Sequence, residues 1–475
     1  MAFVRLAFGD TKARARQINA LGKQRTDAIF FLLEHPFSAI PLVSLLPALA
    51  LHQVMDLTFL QFLSAWALVP VVAVVIFAAT LVVLSHMEDG PELVDGAKWT
   101  DHVVLKNAAD QAAYRDRKIP MAEFIQLYLT EKAEFKGNDP VRTLFEQRHK
   151  IFRFNLTARH FNFFLGKFMG QLIHHSQKVD TAEVRDVYDR GNDFYRGFLG
   201  ERMVYTSGIF EDENETLEQA QDRKLDLVCR KMHLQPGDEL LDIGCGWGTL
   251  LCHAAKYYGV KATGVSLARE QREWLMAENV PKYGVQGKVD MLCMDYRDIP
   301  TNKKYDKISC LEMAEHVGIK NFQTFLLQVK DLLKDDGIFY LQIAGLRRAW
   351  QFEDLIWGLF MGTYIFPAAD ASCPLGFVTT QCERAGFEVH SVENCGVHYA
   401  LTINKWTQNW LKNRDAIVKK YGEWWFRLWV IFLAWSSVIP TQGCSTVFLI
   451  TLHKNRSAFD RKGMFVGKYP IATQQ

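Results

Sequence analysis

Neither sign of charge dominates this chain. Its 475 residues carry 55 Lys+Arg against 53 Asp+Glu, a formal net charge of +2. That balance excludes charge-driven nucleic-acid binding, which needs a strong basic excess. No Cys-x-x-Cys pair occurs among the nine cysteines, and an odd number cannot all pair internally. A zinc ribbon and a secreted disulfide scaffold are therefore excluded in favour of reduced, mostly buried thiols. No internal repeat and no low-complexity tract is present. Hydrophobic residues make up 49% and charged residues 23%, which excludes a largely disordered chain. What the sequence has in quantity is aromatic side chains, 33 Phe, 12 Trp and 15 Tyr. That is more than one core needs, and it suits contact with lipid or with a greasy substrate.

Charge is missing altogether from Leu57 to Ser85, a run long enough to cross a bilayer. A second charge-free run lies between Glu34 and Asp56, interrupted by Pro36, Pro41 and Pro47. Together they predict an N-terminal transmembrane helical hairpin over residues 37–86. Before it, residues 1–36 carry Arg5, Lys12, Arg14, Arg16, Lys23 and Arg25 against Asp10, Asp27 and Glu34. The positive-inside rule places that end in the cytosol, and a hairpin returns the rest of the chain to the same side. The apolar stretch starts too far from Met1, with no small-residue cleavage site, for a secretory signal; a retained anchor is expected. Residues 87–179 read as a mostly helical, membrane-proximal linker. Its aromatic piece (Phe152, Phe154, Phe161, Phe163, Phe164, Phe168) could pack on a neighbouring domain or lie on the membrane.

From residue 238 the pattern alternates. Strands are predicted at 239–243, 261–267, 289–294, 307–313 and 338–344, with helices at 250–258, 269–283 and 321–333 between them. This rhythm implies right-handed βαβ units and a mostly parallel, Rossmann-like sheet. Two later strands, 387–392 and 446–452, flank a helical stretch at 406–421, which suggests one late antiparallel strand. The segment 347–377 breaks the rhythm and reads as a lid over a lipid tail. The run Trp424–Leu433 reads as a bilayer-facing or substrate-channel helix, with a core helix as the alternative.

The loop Leu241-Asp242-Ile243-Gly244-Cys245-Gly246-Trp247-Gly248 joins the first of these strands to its helix. A dinucleotide fingerprint would place a third glycine where Thr249 stands, and an acidic residue where Ser266 and Leu267 end the next strand. The spacing Asp-x-Gly-x-Gly-x-Gly resembles instead the first motif of class I S-adenosylmethionine (SAM) methyltransferases. A tight turn in another α/β fold is the alternative for this motif taken alone.

The motif has company. Upstream stand Val187-Tyr188-Asp189-Arg190-Gly191-Asn192-Asp193-Phe194-Tyr195 and Tyr205-Thr206-Ser207-Gly208-Ile209-Phe210. Downstream stand Gly264-Val265-Ser266-Leu267-Ala268-Arg269-Glu270-Gln271, Glu312-Met313-Ala314-Glu315-His316-Val317-Gly318 and Val397-His398-Tyr399. This ordered set, over roughly residues 180–455, resembles the cyclopropane-fatty-acid-synthase and mycolic-acid methyltransferase family. The N-terminal hairpin, Gln342-Ile343-Ala344-Gly345-Leu346-Arg347, Trp350–Gly358 and Pro367-Ala368-Ala369-Asp370-Ala371 extend the likeness to the sphingolipid C9-methyltransferases of fungi.

The resemblance implies a class I SAM-dependent methyltransferase fold with a seven-stranded sheet over residues 180–460. It implies SAM contacts at Tyr205, Thr206, Asp242, Gly244, Gly246, Ser266, Leu267 and Gln271, with Asp295 and Tyr296 near the adenine. The bacterial enzymes hold a bicarbonate base with a cysteine, a glutamate, a histidine and a tyrosine. Here Glu315 and Tyr399 match, while Ser207 stands for the cysteine and Gln342 for the histidine; whether the ion is used stays open. Glu315 is expected to be the base or its anchor, aided by Tyr399 and His316. Tyr205, Trp247, Trp357, Tyr364 and Tyr399 are candidates to face a cation. No metal is implied.

The implied reaction is methyl transfer to C9 of the Δ8-unsaturated base of ceramide, on the way to glucosylceramide. The expected partners are that lipid and the bilayer, with no nucleic acid. The expected location is the endoplasmic-reticulum membrane, multi-pass, with the catalytic domain cytosolic. Two alternatives stay open. One is a cyclopropane synthase or C-methyltransferase acting on phospholipid acyl chains; the other is a non-catalytic SAM- or lipid-binding membrane scaffold.

Overall fold

The computed structural model describes residues 58–94, 96–157, 160, 190–366 and 373–456, with isolated positions between 45 and 55. The chain divides into two units, residues 1–174 with 348–363, and residues 175–347 with 364–475.

In the first unit, helix α1 runs from Phe59 to Glu88. Thr58 and Gln61 cap its start reciprocally, Gln61 Oε1 accepting from the Thr58 N–H at 2.9 Å, so two of the orphan donors of a helix N-terminus are satisfied. Leu68, Val71, Val72, Val75 and Ile76 are between 46% and 60% exposed. Counted over described side chains alone, no helix is long and apolar enough to cross a membrane. Residues 37–57, the other half of the expected hairpin, lie almost wholly outside the described residues.

The carboxyl end of α1 is tied into a small α/β body. Ser85 Oγ accepts from the Leu156 N–H at 3.0 Å. Asp89 accepts from the buried Lys118 ammonium at 2.7 Å and from the Phe154 N–H at 2.8 Å. In that body Val103–Leu105 pairs antiparallel with Ala133–Phe135, and Ile119–Pro120 pairs parallel with Phe152–Arg153. Phe124 lies 4.6 Å from Phe152 and 5.2 Å from Phe135 at its centre. Phe152 and Phe154 are thus core residues; 161–189, with the other linker phenylalanines, lies outside the described residues.

The helix Phe352–Phe360 belongs to this unit too. Its buried Glu353 accepts from Arg148 Nε at 2.7 Å and from His149 Nε2 at 3.1 Å. Desolvation opposes ionisation of Glu353, but Arg148 and His149 outweigh it and hold the carboxyl far below the usual range. The segment expected to form a lid is therefore shared out: 348–363 lies with the first unit, while 364–366 and 373–377 lie with the second. Residues 367–372 lie outside the described residues.

The second unit is built on a seven-stranded sheet. Its strands are β1 (Glu239–Ile243), β2 (Lys261–Ser266), β3 (Val289–Cys293), β4 (Tyr305–Leu311), β5 (Leu333–Leu346), β6 (Phe387–Asn394) and β7 (Ser445–Lys454), in the order β6-β7-β5-β4-β1-β2-β3. The five strands from β5 to β3 are parallel, and β7 runs antiparallel between β5 and β6. Buried, largely apolar runs such as Ile338–Leu341, and Leu240–Ile243 with its one Asp242, account for strands covered on both faces. From β1 the chain winds outward through β2 to β3 and then crosses back to β4 on the other side of β1, and such a reversal is where α/β sheets open a crevice at their carboxyl ends.

Two helical expectations change. The stretch 406–421 begins earlier, as α3 (Gly396–Lys412), and breaks at Asn413 before a second helix at Arg414–Tyr421. The run at 424–433 forms α4 (Glu423–Val438), and it does not face a bilayer. Residues 426–438 are all buried, Trp429 packs 4.9 Å from Phe194, and Arg427 is neutralised by Glu423 at 2.9 Å. A helix apolar all round is a core helix when protein surrounds it.

Candidate active site

The glycine loop leaves β1 with left-handed backbone at three points, Gly244 (φ +81°), Gly246 (φ +52°) and Gly248 (φ +72°). They serve different ends. A Cβ at Gly244 would meet the Met313 side chain at 2.5 Å, and one at Gly248 would meet Leu275 at 2.5 Å. A Cβ at Gly246 would meet nothing within 4 Å. Gly244 and Gly248 let the loop pack; Gly246 leaves bare backbone facing open space, which a ligand can approach. The Gly244 and Cys245 N–H groups both donate to Val265 O, at 2.9 and 3.1 Å, pinning the loop to the end of β2.

Asp242 lies buried beneath this loop and accepts from Ser309 Oγ at 2.7 Å. Burial pushes its carboxyl up to about 6, with Ser309 and Lys224 pulling the other way. At the end of β2, Ser266 Oγ donates to Gln271 Oε1 at 2.6 Å, and Leu267 O accepts from Cys293 Sγ at 3.6 Å. Asp295 follows β3 and is clasped by Arg297 through Nε at 2.9 Å and a terminal nitrogen at 2.8 Å. Tyr296, half-buried, packs against the core edge-on to Phe325 at 5.4 Å. Tyr205 sits 5.4 Å from both Phe198 and Trp406. The bare Gly246 backbone, with polar Ser266 and Gln271 at the neighbouring strand end, fits SAM as the resemblance implies.

A second cluster forms where β4 and β5 end side by side, with Leu311 opposite Gln342. Its centre is Glu312, which the sequence reading left without a role. Glu312 has φ +56°, in the left-handed region that few side-chain-bearing residues adopt. The Ser207 N–H donates to its Oε1 at 3.3 Å and Gln342 Nε2 donates to the same oxygen, while the Tyr399 phenol, carried on α3, favours its ionised form. Gln342 Nε2 further donates to Ser207 Oγ at 3.1 Å. Ser207 and Gln342 are fully buried.

Glu315 sits one short turn later. Its Oε1 accepts from the Ala344 N–H at 2.6 Å, and its buried Oε2 has no hydrogen-bond partner. Burial, then the charge of Glu312, pushes the Glu315 carboxyl up to about 8. Glu312 is raised by burial as well but held back by Lys224, Tyr399, Ser207 and Gln342. Lys224, from helix α2 (Leu217–Lys231), is 1% exposed and donates to Thr206 Oγ1 at 2.5 Å. It too was missed in the sequence, where a lysine in an amphipathic helix reads as part of the solvated face.

The structure thus gathers Ser207, Gln342 and Tyr399 around Glu312, with Glu315 beside it. His316 goes elsewhere: its ring lies edge-on to Phe366 at 6.1 Å, and burial lowers its pKa to about 4, leaving it neutral near pH 7. Of the rings considered for holding a cation, Tyr205, Trp247, Tyr364 and Tyr399 belong to the second unit and Trp357 to the first. A bicarbonate ion does not fit the residues present. Of the groups that would hold it, Ser207 and Gln342 already donate to the Glu312 carboxylate, and the Tyr399 phenol already favours its charge. Among the described residues no group of acidic, histidine or cysteine side chains could hold a metal ion.

Residues 175–450 match the family model described as mycolic acid cyclopropane synthetase. The chain is 51% identical to the sphingolipid C9-methyltransferase of Komagataella phaffii, over 76% of each chain. It is 50% identical to sphingolipid C9-methyltransferase A of Emericella nidulans, over 74% of this chain and 68% of that one. Among solved structures, the mycolic acid cyclopropane synthase CmaA1 complexed with SAH and CTAB superposes with a TM-score of 0.55 at 26% identity, covering 58% of this chain and 98% of that chain.

Proposed function

The chain belongs to the mycolic acid cyclopropane synthetase family and, within it, to the sphingolipid C9-methyltransferases, and from that premise we propose that it transfers a methyl group from SAM to C9 of the Δ8-unsaturated long-chain base of a ceramide. The observation that carries this reading is an acidic pair, half-buried Glu312 and buried Glu315, joined to the glycine loop through the close approach of Gly244 to Met313. A nucleotide-binding loop alone would serve many reactions; one backed by a pair of carboxyls suits a reaction that passes through a cation.

An isolated alkene is a weak nucleophile. SAM, when bound, supplies an electrophilic sulfonium methyl. The chain must therefore align the alkene with that methyl and keep water out. As the alkene π pair forms the new carbon–carbon bond, positive charge appears on the neighbouring chain carbon. Aromatic faces such as Tyr205 and Tyr399 can stabilise it. A carboxylate in a dry site stabilises it more strongly and can take the proton whose departure restores the double bond.

A two-tailed lipid does not diffuse through water, so we place the enzyme at the bilayer. Helix α1, with its exposed Leu68, Val72 and Ile76, would anchor it there. The catalytic unit would face the cytosol, where SAM is found, and the endoplasmic reticulum is the proposed membrane.

The test is incubation of the purified full chain with methyl-labelled SAM and a Δ8-unsaturated ceramide, followed by mass spectrometry. A methyl branch at C9 is expected. A ring across the former double bond would reassign the chain as a cyclopropane synthase. Stoichiometric SAM binding with no label in any lipid would sink the enzyme reading.

A further inference from the structure

We propose that Glu312 is the general base of the reaction, a carboxylate built into the chain at the place where the bacterial relatives are expected to bind a bicarbonate ion. The inference rests on the proposed methyl transfer and names the group that ends it.

Three features of the site point to Glu312. The first is its set of donors. Ser207 donates through its N–H at 3.3 Å and Gln342 through Nε2, and the Tyr399 phenol favours the ionised carboxylate. These are three of the four positions that the resemblance assigns to the ion. Bicarbonate and a carboxylate present the same recognition face, two oxygens sharing one negative charge, so one set of donors can hold either but not both at once. The exchange also explains the departures from the bacterial pattern. A Gln342 amide can donate to a fixed carboxylate without ever competing for its proton, as a histidine would.

The second feature is the backbone. Glu312 is one of five described non-glycine residues at positive φ. Holding a glutamate there is unfavourable, and such outliers persist where the surroundings enforce them, often at functional sites. The Glu312 N–H donates to Gln342 O at 2.8 Å. The strand that supplies the amide donor therefore also fixes the turn that aims the carboxylate.

The third is the balance of charge. Lys224 is buried and its positive charge favours the ionised form of Glu312. Glu315 is pushed towards its neutral form by burial and by Glu312 itself. Between two close carboxyls in a dry site, one carries the charge and the other the proton. The hydrogen bonds and the lysine assign the charge to Glu312.

The step balances as follows. The alkene π pair makes the bond to the incoming methyl carbon, the carbon–sulfur bond breaks with its pair remaining on sulfur, and the adjacent chain carbon becomes cationic. Glu312 takes a proton from the chain carbon next to that cation. The released carbon–hydrogen pair closes the double bond, and Glu312, now a carboxylic acid, returns the proton to solvent between turnovers. No outside anion is consumed.

The test uses the full chain with methyl-labelled SAM and a Δ8-unsaturated ceramide, in buffer freed of carbon dioxide and again with added bicarbonate. We expect the wild-type rate to be equal in both. We expect Glu312→Gln to lose roughly 10²- to 10⁴-fold in turnover, with SAM affinity by calorimetry changed only a few-fold. We expect Glu312→Ala to be as slow and to recover, saturably, with added formate or bicarbonate. A wild-type rate that falls when bicarbonate is removed and returns when it is restored would overturn the assignment. So would full turnover in Glu312→Gln, or Glu312→Ala that binds SAM but responds to neither anion. Should both variants fail to bind SAM, the wild-type bicarbonate comparison decides alone. A wild-type chain that methylates no lipid under any condition overturns the proposed function instead, and the two failures are told apart by that control.

Discussion

Lys224 donates to Thr206 Oγ1 at 2.5 Å from a position 1% exposed to solvent, and its charge acts on both Asp242 and Glu312. A buried ammonium is costly unless carboxylates surround it. Here one cation acts on both the acid beneath the glycine loop and the acid at the end of β4, so it couples the cofactor side of the site to the acidic pair.

Replacing Lys224 by Met removes that charge at similar length. Glu312 then loses an influence that lowers its pKa, and the pKa rises. An ionised Glu312 is the reactive form, so the acidic limb of the turnover profile moves to higher pH. We expect Lys224→Met to be several-fold more impaired at pH 6 than at pH 8.5, and Lys224→Arg to track the wild-type profile more closely. A pH profile of turnover under saturating SAM measures this; a uniform loss across pH would mean that Lys224 only packs.

Glu315 gives a stability prediction with a definite sign. Its carboxyl is raised from 4.5 to about 8 in the folded chain, first by burial and then by Glu312. Between those values the folded state holds a proton that the unfolded state has released. The contribution is therefore complete below about pH 4.5 and is lost as pH rises through about 8. In this window wild-type stability carries a downward slope of at most about 1.4 kcal/mol per pH unit from this group. Glu315→Gln keeps an acceptor for the Ala344 N–H and abolishes the slope. Denaturant midpoints at half-unit steps from pH 5 to 8.5 should converge at the acid end and separate in favour of the variant at the alkaline end.

The strands of the second unit were legible because buried parallel strands are short apolar runs between helices, and that pattern survives without tertiary knowledge. For the 424–433 run, composition leaves a bilayer-facing, a channel and a core helix all open, because it cannot say whether lipid or protein surrounds an apolar helix; the packing of Trp429 on Phe194 decides for the core. The SAM loop was legible from glycine spacing, although the separate duties of Gly244 and Gly246 were not. They depend on Met313, which is 69 positions away. Glu312 was visible in the same motif as Glu315, and only its donors distinguish it. A backbone at positive φ leaves no trace in a sequence when the residue is a glutamate. Lys224 needed the sheet to be in place before its burial could be known.

The two glycines make that division testable. Gly244→Ala drives a Cβ to 2.5 Å from Met313 in a left-handed backbone, and overpacking of this kind costs about 1–3 kcal/mol beyond the backbone strain. Gly246→Ala has open space and bears only the left-handed strain, about 1–2 kcal/mol. We expect Gly244→Ala to show the larger fall in thermal midpoint. Gly246→Ala, with the milder fall, should still lose at least about tenfold in SAM affinity, because its methyl occupies the face left open for the ligand. Scanning fluorimetry and SAM calorimetry on both variants separate the two effects, and undiminished SAM binding by Gly246→Ala would mean that the loop holds something else.

The membrane proposal rests on α1, and the exposed positions of that helix test it. Val72 and Ile76 lie four residues apart, on one face, at 46% and 60% exposure. In water, lysines there would be harmless or mildly favourable. In hydrocarbon, each central lysine costs about 2.5–3.5 kcal/mol on the insertion scale. The double variant Val72→Lys/Ile76→Lys should therefore move the chain from the carbonate-resistant membrane fraction to the extractable one. SAM affinity of the solubilised protein should stay unchanged, because the glycine loop belongs to the other unit. A double variant that stays in the carbonate-washed pellet, or a wild-type chain that never enters it, would remove α1 as the anchor.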